Sequence, residues 1–227
     1  MRPGPGRRRV GLSPRQPPIA PPAPPIRLAV CVSGGGTTLQ NLLDRIASGA
    51  LAAEVVRVIA SRPGIGAIGR AERAGIPVAV EACSGRSVAD HSSAIFGHVR
   101  AAGSDLVILG GFLSLLQIPE DYAGRVINVH PSLIPSFSGK GFYGLKVHQA
   151  AIDAGVKLSG CTVHFVDATY DTGPIIFQVP VPVLATDSAT ALAARVFEAE
   201  CEALPEAIAL YASGKLRIEG RRVIILP

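Results

Sequence analysis

Short, continuous apolar runs that alternate with helix-like segments constrain this 227-residue chain more than any other feature. The runs begin at residues 27, 54, 77, 105 and 124. Parallel strands have this pattern because helices cover both faces of their sheet, so that successive side chains are all buried. The alternation therefore predicts an open α/β sheet whose N-terminal half is parallel and resembles a mononucleotide-binding unit.

The second half of the chain has a different pattern, which predicts mixed or antiparallel strands. Residues 159–167 and 174–183 read as two strands joined by a turn, and a short strand pair follows near residue 220. An amphipathic helix begins after a cap at Asp187 or Ser188. The other predicted helices cover residues 37–49, 68–74, 87–102 and 144–155.

The positive charge of the chain is concentrated at its N-terminus. The net charge is +5, but residues 1–27 hold six arginines, nine prolines and no acid, and the rest has 16 basic and 17 acidic residues. We therefore expect residues 1–26 to be a disordered Pro/Arg-rich leader and residues 27–227 to be a single domain. Neither nucleic acid nor a membrane is expected as a partner.

The four cysteines are far apart, and none forms a Cys-x-x-Cys pair (Cys31, Cys83, Cys161, Cys201). This spacing predicts neither a zinc site nor a disulfide framework, and we expect no metal. Three of the cysteines fall within apolar patterns and are expected to be small buried hydrophobic residues. A reducing, cytoplasmic location fits this use of cysteine.

A glycine-rich segment, "SGGGTTLQ" at residues 33–40, joins the first strand to the first helix. Consecutive glycines allow an anion to approach backbone N–H groups at a helix N-terminus, so the segment predicts a phosphate site. A tight turn without ligand is the alternative. The segment is no P-loop, and it matches the dinucleotide fingerprint only in part, because Leu39 occupies the third glycine position. Since Arg62 rather than an acid follows the second strand, an NADP site stays open.

Two polar residues, Asn128 and His130, end the fifth strand and share one face of it. An amide donor and a histidine in this arrangement can stabilise an oxyanion and move a proton. Asp171 follows the sixth strand and could orient His130 and raise its pKa, although a structural His and a simple turn explain these residues as well. We expect Gly34, Gly110, His130 and Asp167 to gather at one rim, because each follows a strand.

Four other titratable residues have less specific patterns. His91 and His98 lie on a polar helix and are expected to be solvated. His164 is equally well explained as a structural residue or as a wall of the site. Glu200 falls on the apolar stripe of the last helix, where an acid is costly unless it meets a partner or a ligand such as a sugar hydroxyl.

Five segments occur together in the order found in one known family: "VCVSGGGTTLQNLLD", "LVILGGFLSLL", "AGRVINVHPSLIPSF", "GCTVHFVD" and "DTGPIIFQVPV". The chain resembles the 10-formyltetrahydrofolate-dependent formyltransferases, and among them the phosphoribosylglycinamide formyltransferases, over about residues 27–213. The resemblance implies an open twisted sheet with helices on both faces. It also implies transfer of a formyl group from 10-formyltetrahydrofolate to the amine of glycinamide ribonucleotide in purine biosynthesis.

The resemblance also implies roles for individual residues. The catalytic residues would be Asn128, His130 and Asp171, and His164 would form part of the wall of the active site. The glycinamide ribonucleotide would be held by Gly35, Gly36, Thr37, Thr38 and Glu200. The folate would contact Arg86, Leu113, Ser114, Leu115, Leu116, Asn128, Asp167, Ala168, Thr169, Tyr170 and Asp171.

This sequence departs from the family pattern at two places. Thr37 and Thr38 stand where Ser-Asn is common, and the loop after Pro135 is about five residues longer than in short members. A similar loop sequence occurs in formyltetrahydrofolate deformylases, so hydrolysis of the same folate is the alternative activity. An NADP-binding module and a methionyl-tRNA formyltransferase fit less well. We expect small-molecule substrates and a monomer or weak homodimer.

Overall fold

The computed structural model describes residues 24–227, so most of the leader predicted for residues 1–26 lies outside the described part. In this part, nine strands form one sheet, with five α-helices and a short 3₁₀ helix at Glu120–Tyr122. The strands are β1 (Ile26–Val32), β2 (Ala53–Ala60), β3 (Val78–Val80), β4 (Leu106–Leu109), β5 (Val126–His130), β6 (Leu158–Phe165), β7 (Ile175–Pro182), β8 (Leu216–Glu219) and β9 (Arg222–Ile225). The helices are α1 (Thr37–Ala47), α2 (Gly66–Arg73), α3 (Val88–Ala101), α4 (Leu145–Asp153) and α5 (Ala189–Ala212).

The sheet has the order β3-β2-β1-β4-β5-β6-β7-β9-β8. Strands β1 to β5 pair in parallel, whereas β6 is antiparallel to both β5 and β7. The parallel half and the antiparallel character of the later strands confirm the predicted fold class. Chain order reverses between β1 and β4, and such a switch point is where open α/β sheets bind ligands.

Apolar side chains on the two faces of the sheet form two separate clusters. The larger cluster joins the sheet to α1, α2, α4 and α5, and the smaller one joins it to α3 and the 3₁₀ helix. Leu28–Val32 in β1 have no exposed surface, as expected for a strand covered on both sides. Helices therefore lie on both faces, and the ends of the strands remain open for ligands.

Helix α5 begins as its sequence predicts. The hydroxyl oxygen of Ser188 accepts a hydrogen bond from the Ala191 N–H at 3.1 Å, which satisfies one of the free donors of the first turn. Asp187 instead pairs with Arg195 at 2.7 Å. Of the two candidates, Ser188 is the cap.

One prediction about α3 is wrong. His91 is only 1% exposed, and its Nε2 lies 3.1 Å from the carbonyl oxygen of Glu81. The helix is polar overall, but its inner side packs on the sheet, and the loop after β3 supplies a partner for the buried ring. His98 is half-exposed and bonds to the Glu81 carboxylate at 2.8 Å. No helix among residues 24–227 has the length and apolar character of a membrane span.

Candidate active site

Strand β5 places Asn128 and His130 on one face of the sheet. The alternate residues of the strand, Ile127 and Val129, point to the opposite face, where they join the larger apolar cluster. His130 is 4% exposed, and Asn128 is partly buried. The shared face predicted from their spacing is therefore present, at the carboxyl end of the parallel strands.

Asp171 reaches this face from a loop whose path the sequence does not predict. Because β6 is antiparallel to β5, Phe165 pairs with Ile127, and β6 ends away from the rim that carries His130. Strand direction alone would therefore place Asp167 away from that rim, yet Asp167 lines one cavity together with Asn128 and Asp171. The loop of residues 166–174 instead folds back towards β5, and Asp171 has a positive φ of 57° in this loop.

The carboxylate of Asp171 and the ring of His130 form a buried pair. Nδ1 of His130 lies 3.5 Å from Oδ2 of Asp171, and Nε2 lies 3.0 Å from the carbonyl oxygen of Phe137. Burial lowers the pKa of His130, and a positive charge on His164 would add to this, although Asp171 and the Phe137 carbonyl act to raise it. Asp171 does act to raise the pKa of His130, as expected, but the opposite effect of burial is larger.

Asp171 stays ionised in this setting. Burial acts to raise its pKa, but its contacts with His164, His130 and the Gly139 N–H together lower it below its ordinary value. The Gly139 N–H donates to Oδ2 at 2.8 Å. A neutral imidazole and a carboxylate therefore lie side by side, and the pair can take up a proton from a substrate.

His164 supports the amide of Asn128. Its Nδ1 lies 2.8 Å from the carbonyl oxygen of Phe165, which can only accept, so the proton is on Nδ1. The bare Nε2 then accepts from Nδ2 of Asn128 at 3.1 Å. The second amide N–H of Asn128 has only a long contact of 3.4 Å to Asp171, so it is available to a ligand oxygen.

Residues 33–36, here called the glycine loop, lie next to the cluster of Asn128, His130 and Asp171 at the switch point of the sheet. Gly36 precedes α1 with φ 75°, and an added Cβ would lie 2.6 Å from the Cβ of Ala67, so only glycine fits. The Leu113 N–H donates to Oγ of Ser33 at 3.1 Å, which joins the loops after β1 and β4. Arg70, which no sequence pattern singles out, donates from Nε to the Gly35 carbonyl at 2.8 Å.

A cavity of about 610 Å³ extends from Thr38, in the first turn of α1, to the cluster of Asn128, His130 and Asp171. Its wall includes Thr38, the three clustered residues and Glu200. Glu200 has no ion pair among the described residues, and burial raises its pKa to about 8. An unpaired acid at the wall of a cavity is the arrangement expected of a ligand contact.

A second cavity, of about 50 Å³, adjoins the cluster. The two cavities share Phe112, Asn128, Tyr170 and Asp171. Of the predicted folate contacts, the second cavity contains Ser114, Leu115, Leu116, Asn128, Asp167, Thr169, Tyr170 and Asp171, together with His164. Two ligands, one in each cavity, would therefore meet at Asn128 and Asp171.

The structure does not bring every predicted contact to a cavity. Leu113 lines the larger cavity rather than the smaller one. Ala168 is exposed in its loop, and Arg86 forms an ion pair with Glu81. The cavities also leave out Thr37 and Gly36, although Thr38 next to them lines the larger one. Roles for Arg86, Ala168, Gly35, Gly36 and Thr37 stay predictions.

The long loop of residues 136–144 forms one wall of the larger cavity, together with the start of α4. Its backbone contacts both members of the acid–base pair, through Phe137 to His130 and through Gly139 to Asp171. Phe142 and Tyr143 of this loop are exposed and line the cavity mouth. Their place at the site was not predicted, because no local pattern shows which way the loop folds.

The fold and the site together define an α/β enzyme domain with an acid–base centre at the switch point of its sheet. No cluster of three or more metal-ligating side chains occurs in residues 24–227. Residues 26–208 match the family model described as formyl transferase. The chain therefore belongs to the formyl transferase family, as its motifs predict.

Individual relatives agree with this assignment. The chain is 42% identical over 198 residues to the trifunctional purine biosynthetic protein adenosine-3 of Drosophila pseudoobscura pseudoobscura, covering 84% of this chain but only 14% of that protein. The structure of glycinamide ribonucleotide transformylase 1 from Symbiobacterium toebii is 41% identical with a TM-score of 0.82, and the match covers 89% of this chain and 95% of that one. A formyltetrahydrofolate deformylase from Pseudomonas syringae pv. tomato str. DC3000 is 25% identical with a TM-score of 0.79, covering 89% and 66%.

Proposed function

We propose that this protein transfers the formyl group of 10-formyltetrahydrofolate to the amine of glycinamide ribonucleotide. The observation that carries the proposal is the pair of cavities that meet at Asn128 and Asp171, beside His130. A transfer between two substrates needs such a meeting point. The similarity to the transformylase of Symbiobacterium toebii supports the same activity.

The amine substrate is proposed to occupy the larger cavity. Its phosphate would bind the backbone of the glycine loop and Thr38, and its ribose hydroxyls would bind Glu200. The positive end of α1 and the flexible glycine backbone favour an anion at that position. A hydroxyl that donates to Glu200 would also offset part of the cost of burying that carboxylate.

The folate is proposed to bind beside the second cavity. Leu115 and Leu116 offer an apolar surface for a flat ring, and Asp167 and Thr169 offer polar groups for its edge. The cavity, at about 50 Å³, is far smaller than the ~300 Å³ typical of ligand sites. We infer that the loop of residues 166–174 moves outward when the ring enters.

The chemistry then follows from the states of three side chains. The folate supplies a formyl carbon, to which the amine forms a bond as the bond to the folate nitrogen breaks. Asn128 donates its free N–H to the oxygen that becomes negative. His130 is neutral before the reaction and accepts the proton of the attacking amine at Nδ1. Asp171 stabilises the imidazolium, which then returns the proton to the departing nitrogen.

An amine-dependence assay tests the proposal. The protein is incubated with 10-formyltetrahydrofolate, with and without glycinamide ribonucleotide, and loss of the formyl folate is followed. Strict dependence on the amine is the expected result. Loss of the formyl group without amine would identify a deformylase, and binding of NADP but not of folate would identify a nucleotide-binding module.

A pair of threonine variants tests where the phosphate binds. Thr38→Val removes a hydroxyl at the cavity wall, and Thr37→Val removes one from the exposed neighbour. We expect the KM for glycinamide ribonucleotide to rise about 10-fold in Thr38→Val and to stay within about 2-fold in Thr37→Val.

The cytoplasmic location and the monomer or weak homodimer stay predictions.

A further inference from the structure

His148 is a buried histidine at the large cavity that the proposed mechanism does not use. It lies near the start of α4, is 4% exposed, and is buried alongside Val147 and Ala151 of the same helix. It lines the cavity that also contains Thr38, His130 and Glu200. The residue is therefore part of the wall of the site.

The ring of His148 lacks the partners that a buried imidazole normally has. Nδ1 is closed off from solvent and has no hydrogen-bond partner. Within residues 24–227, no group bonds to Nε2 either, and Nε2 is not sealed in the same way. Since the ring lines the cavity, we infer that Nε2 is the nitrogen on the cavity side. Unpaired buried polar atoms cost free energy and are rare in folded proteins, so this ring calls for a ligand explanation.

The protonation state of His148 follows from its surroundings. A buried N–H without an acceptor is rarer than a buried lone pair without a donor, so the sealed Nδ1 is the bare nitrogen and Nε2 carries the proton. Burial lowers the pKa of His148, and protonation of the nearby His130 would lower it further. The ring therefore stays neutral and presents one N–H donor to the cavity.

We propose that His148 positions the amine substrate by donating a hydrogen bond from Nε2–H to its carboxamide oxygen. The inference rests on the proposed function. Glycinamide ribonucleotide carries a CH₂ group and an amide carbonyl between its amine and its ribose. With the phosphate at Thr38, the ribose at Glu200 and the amine at His130, the carbonyl lies in the stretch of cavity between them. Among the described residues, His148 is a buried and unpaired donor on that wall.

This contact would make His148 a specificity-determining residue. Holding the carbonyl removes rotation about the bonds that lead to the amine, so the nitrogen points at the formyl carbon. A simple amine lacks the carbonyl and would gain nothing from His148. A second ligand, ribose 5-phosphate, keeps the phosphate and sugar but has no carboxamide, and therefore isolates the contact.

Calorimetric titration of the full chain with both ligands tests the proposal. Wild type, His148→Leu and His148→Gln are compared, with Gln149→Leu as a control at the exposed neighbour on the same helix. We expect His148→Leu to bind glycinamide ribonucleotide about 10-fold more weakly and ribose 5-phosphate within about 2-fold of wild type. His148→Gln should recover most of the loss, because its amide is also a neutral donor. In steady-state assays, the KM for the amine should rise while the KM for the folate stays unchanged.

Several results would overturn the inference. If His148→Leu binds glycinamide ribonucleotide as tightly as wild type, His148 does not contact its carboxamide. Equal weakening of both ligands assigns His148 a structural role. If His148→Leu does not fold, His148→Asn replaces it, since its shorter amide falls short of the carbonyl and should bind more weakly than His148→Gln. A wild type that binds ribose 5-phosphate but not glycinamide ribonucleotide overturns the proposed function itself, and the role of His148 with it.

Discussion

Asn128 and His164 face each other across β5 and β6, and the Asn128 amide nitrogen lies 3.1 Å from Nε2 of His164. His164 is itself fixed by its bond to the Phe165 carbonyl at 2.8 Å. The amide plane is therefore set before any ligand arrives. A donor held in advance stabilises a developing negative charge without reorganisation during the reaction.

Replacing Asn128 by Ala should remove this donor. We expect kcat to fall by about 10² to 10³, the cost of losing one oxyanion donor in comparable sites. The KM for the formyl folate should change little, because the second cavity keeps its apolar wall. Steady-state kinetics measure both, with Gln149→Ala, a change at an exposed residue outside the cavity lining, as a control. A kcat within about 2-fold of wild type would remove Asn128 from the mechanism.

Replacing Asp171 by Asn tests charge with little change in shape. Asn is among the non-glycine residues that best tolerate the positive φ of 57° found there. Without the carboxylate, the imidazolium of His130 loses its counter-ion, and we expect kcat to fall by about 10² to 10⁴. The measurement is kcat for wild type and variant at saturating substrates.

The same Asp171 variant predicts a direction of change with pH. His130 must be neutral to accept a proton, so kcat/KM should fall as the pH drops through its pKa, which lies below 6.5 in wild type. Loss of Asp171 removes an effect that raises this pKa, so the acidic limb of the profile should move to lower pH. A limb that moves to higher pH would contradict this account of the pair.

Two glycines of the glycine loop, Gly34 and Gly36, should respond differently to replacement by Ala. In Gly36→Ala, the new Cβ meets Ala67 at 2.6 Å and the backbone φ is 75°, so we expect a loss of about 2–4 kcal/mol in the free energy of unfolding. Gly34→Ala meets nothing within 4 Å and should change stability by less than about 0.5 kcal/mol. Urea denaturation measures both. Equal destabilisation would show that the loop is not held as described.

The buried acid Glu200 should make stability depend on pH. Its pKa is raised from 4.5 to about 8, so the folded state binds more protons than the unfolded state between these values. The contribution of Glu200 to stability is therefore complete below pH 4.5 and is lost as the pH rises through 8. Glu200→Gln cannot ionise, so its stability relative to wild type should increase between pH 6 and 9 by on the order of 2 kcal/mol. Urea unfolding at both pH values checks this, and parallel changes in the two proteins would contradict it.

Much of the fold could be predicted because the signals are local. The apolar run of β1, the Ser188 cap of α5 and the shared face of Asn128 and His130 each depend on residues a few positions apart. His91 shows where such reasoning fails. A helix that is polar on average can still bury one side, and only packing against the sheet decides which side that is.

The sequence alone determined the class of fold and the kinds of chemical group that the site contains, because periodicity and residue type are properties of short segments. The tertiary structure decided which groups meet. Asp171 reaches His130 only because β6 reverses direction and its loop folds back, and His148 turns towards the cavity only because α4 packs against α5. These contacts join residues tens of positions apart, and their free energy comes from long-range burial that no local pattern encodes.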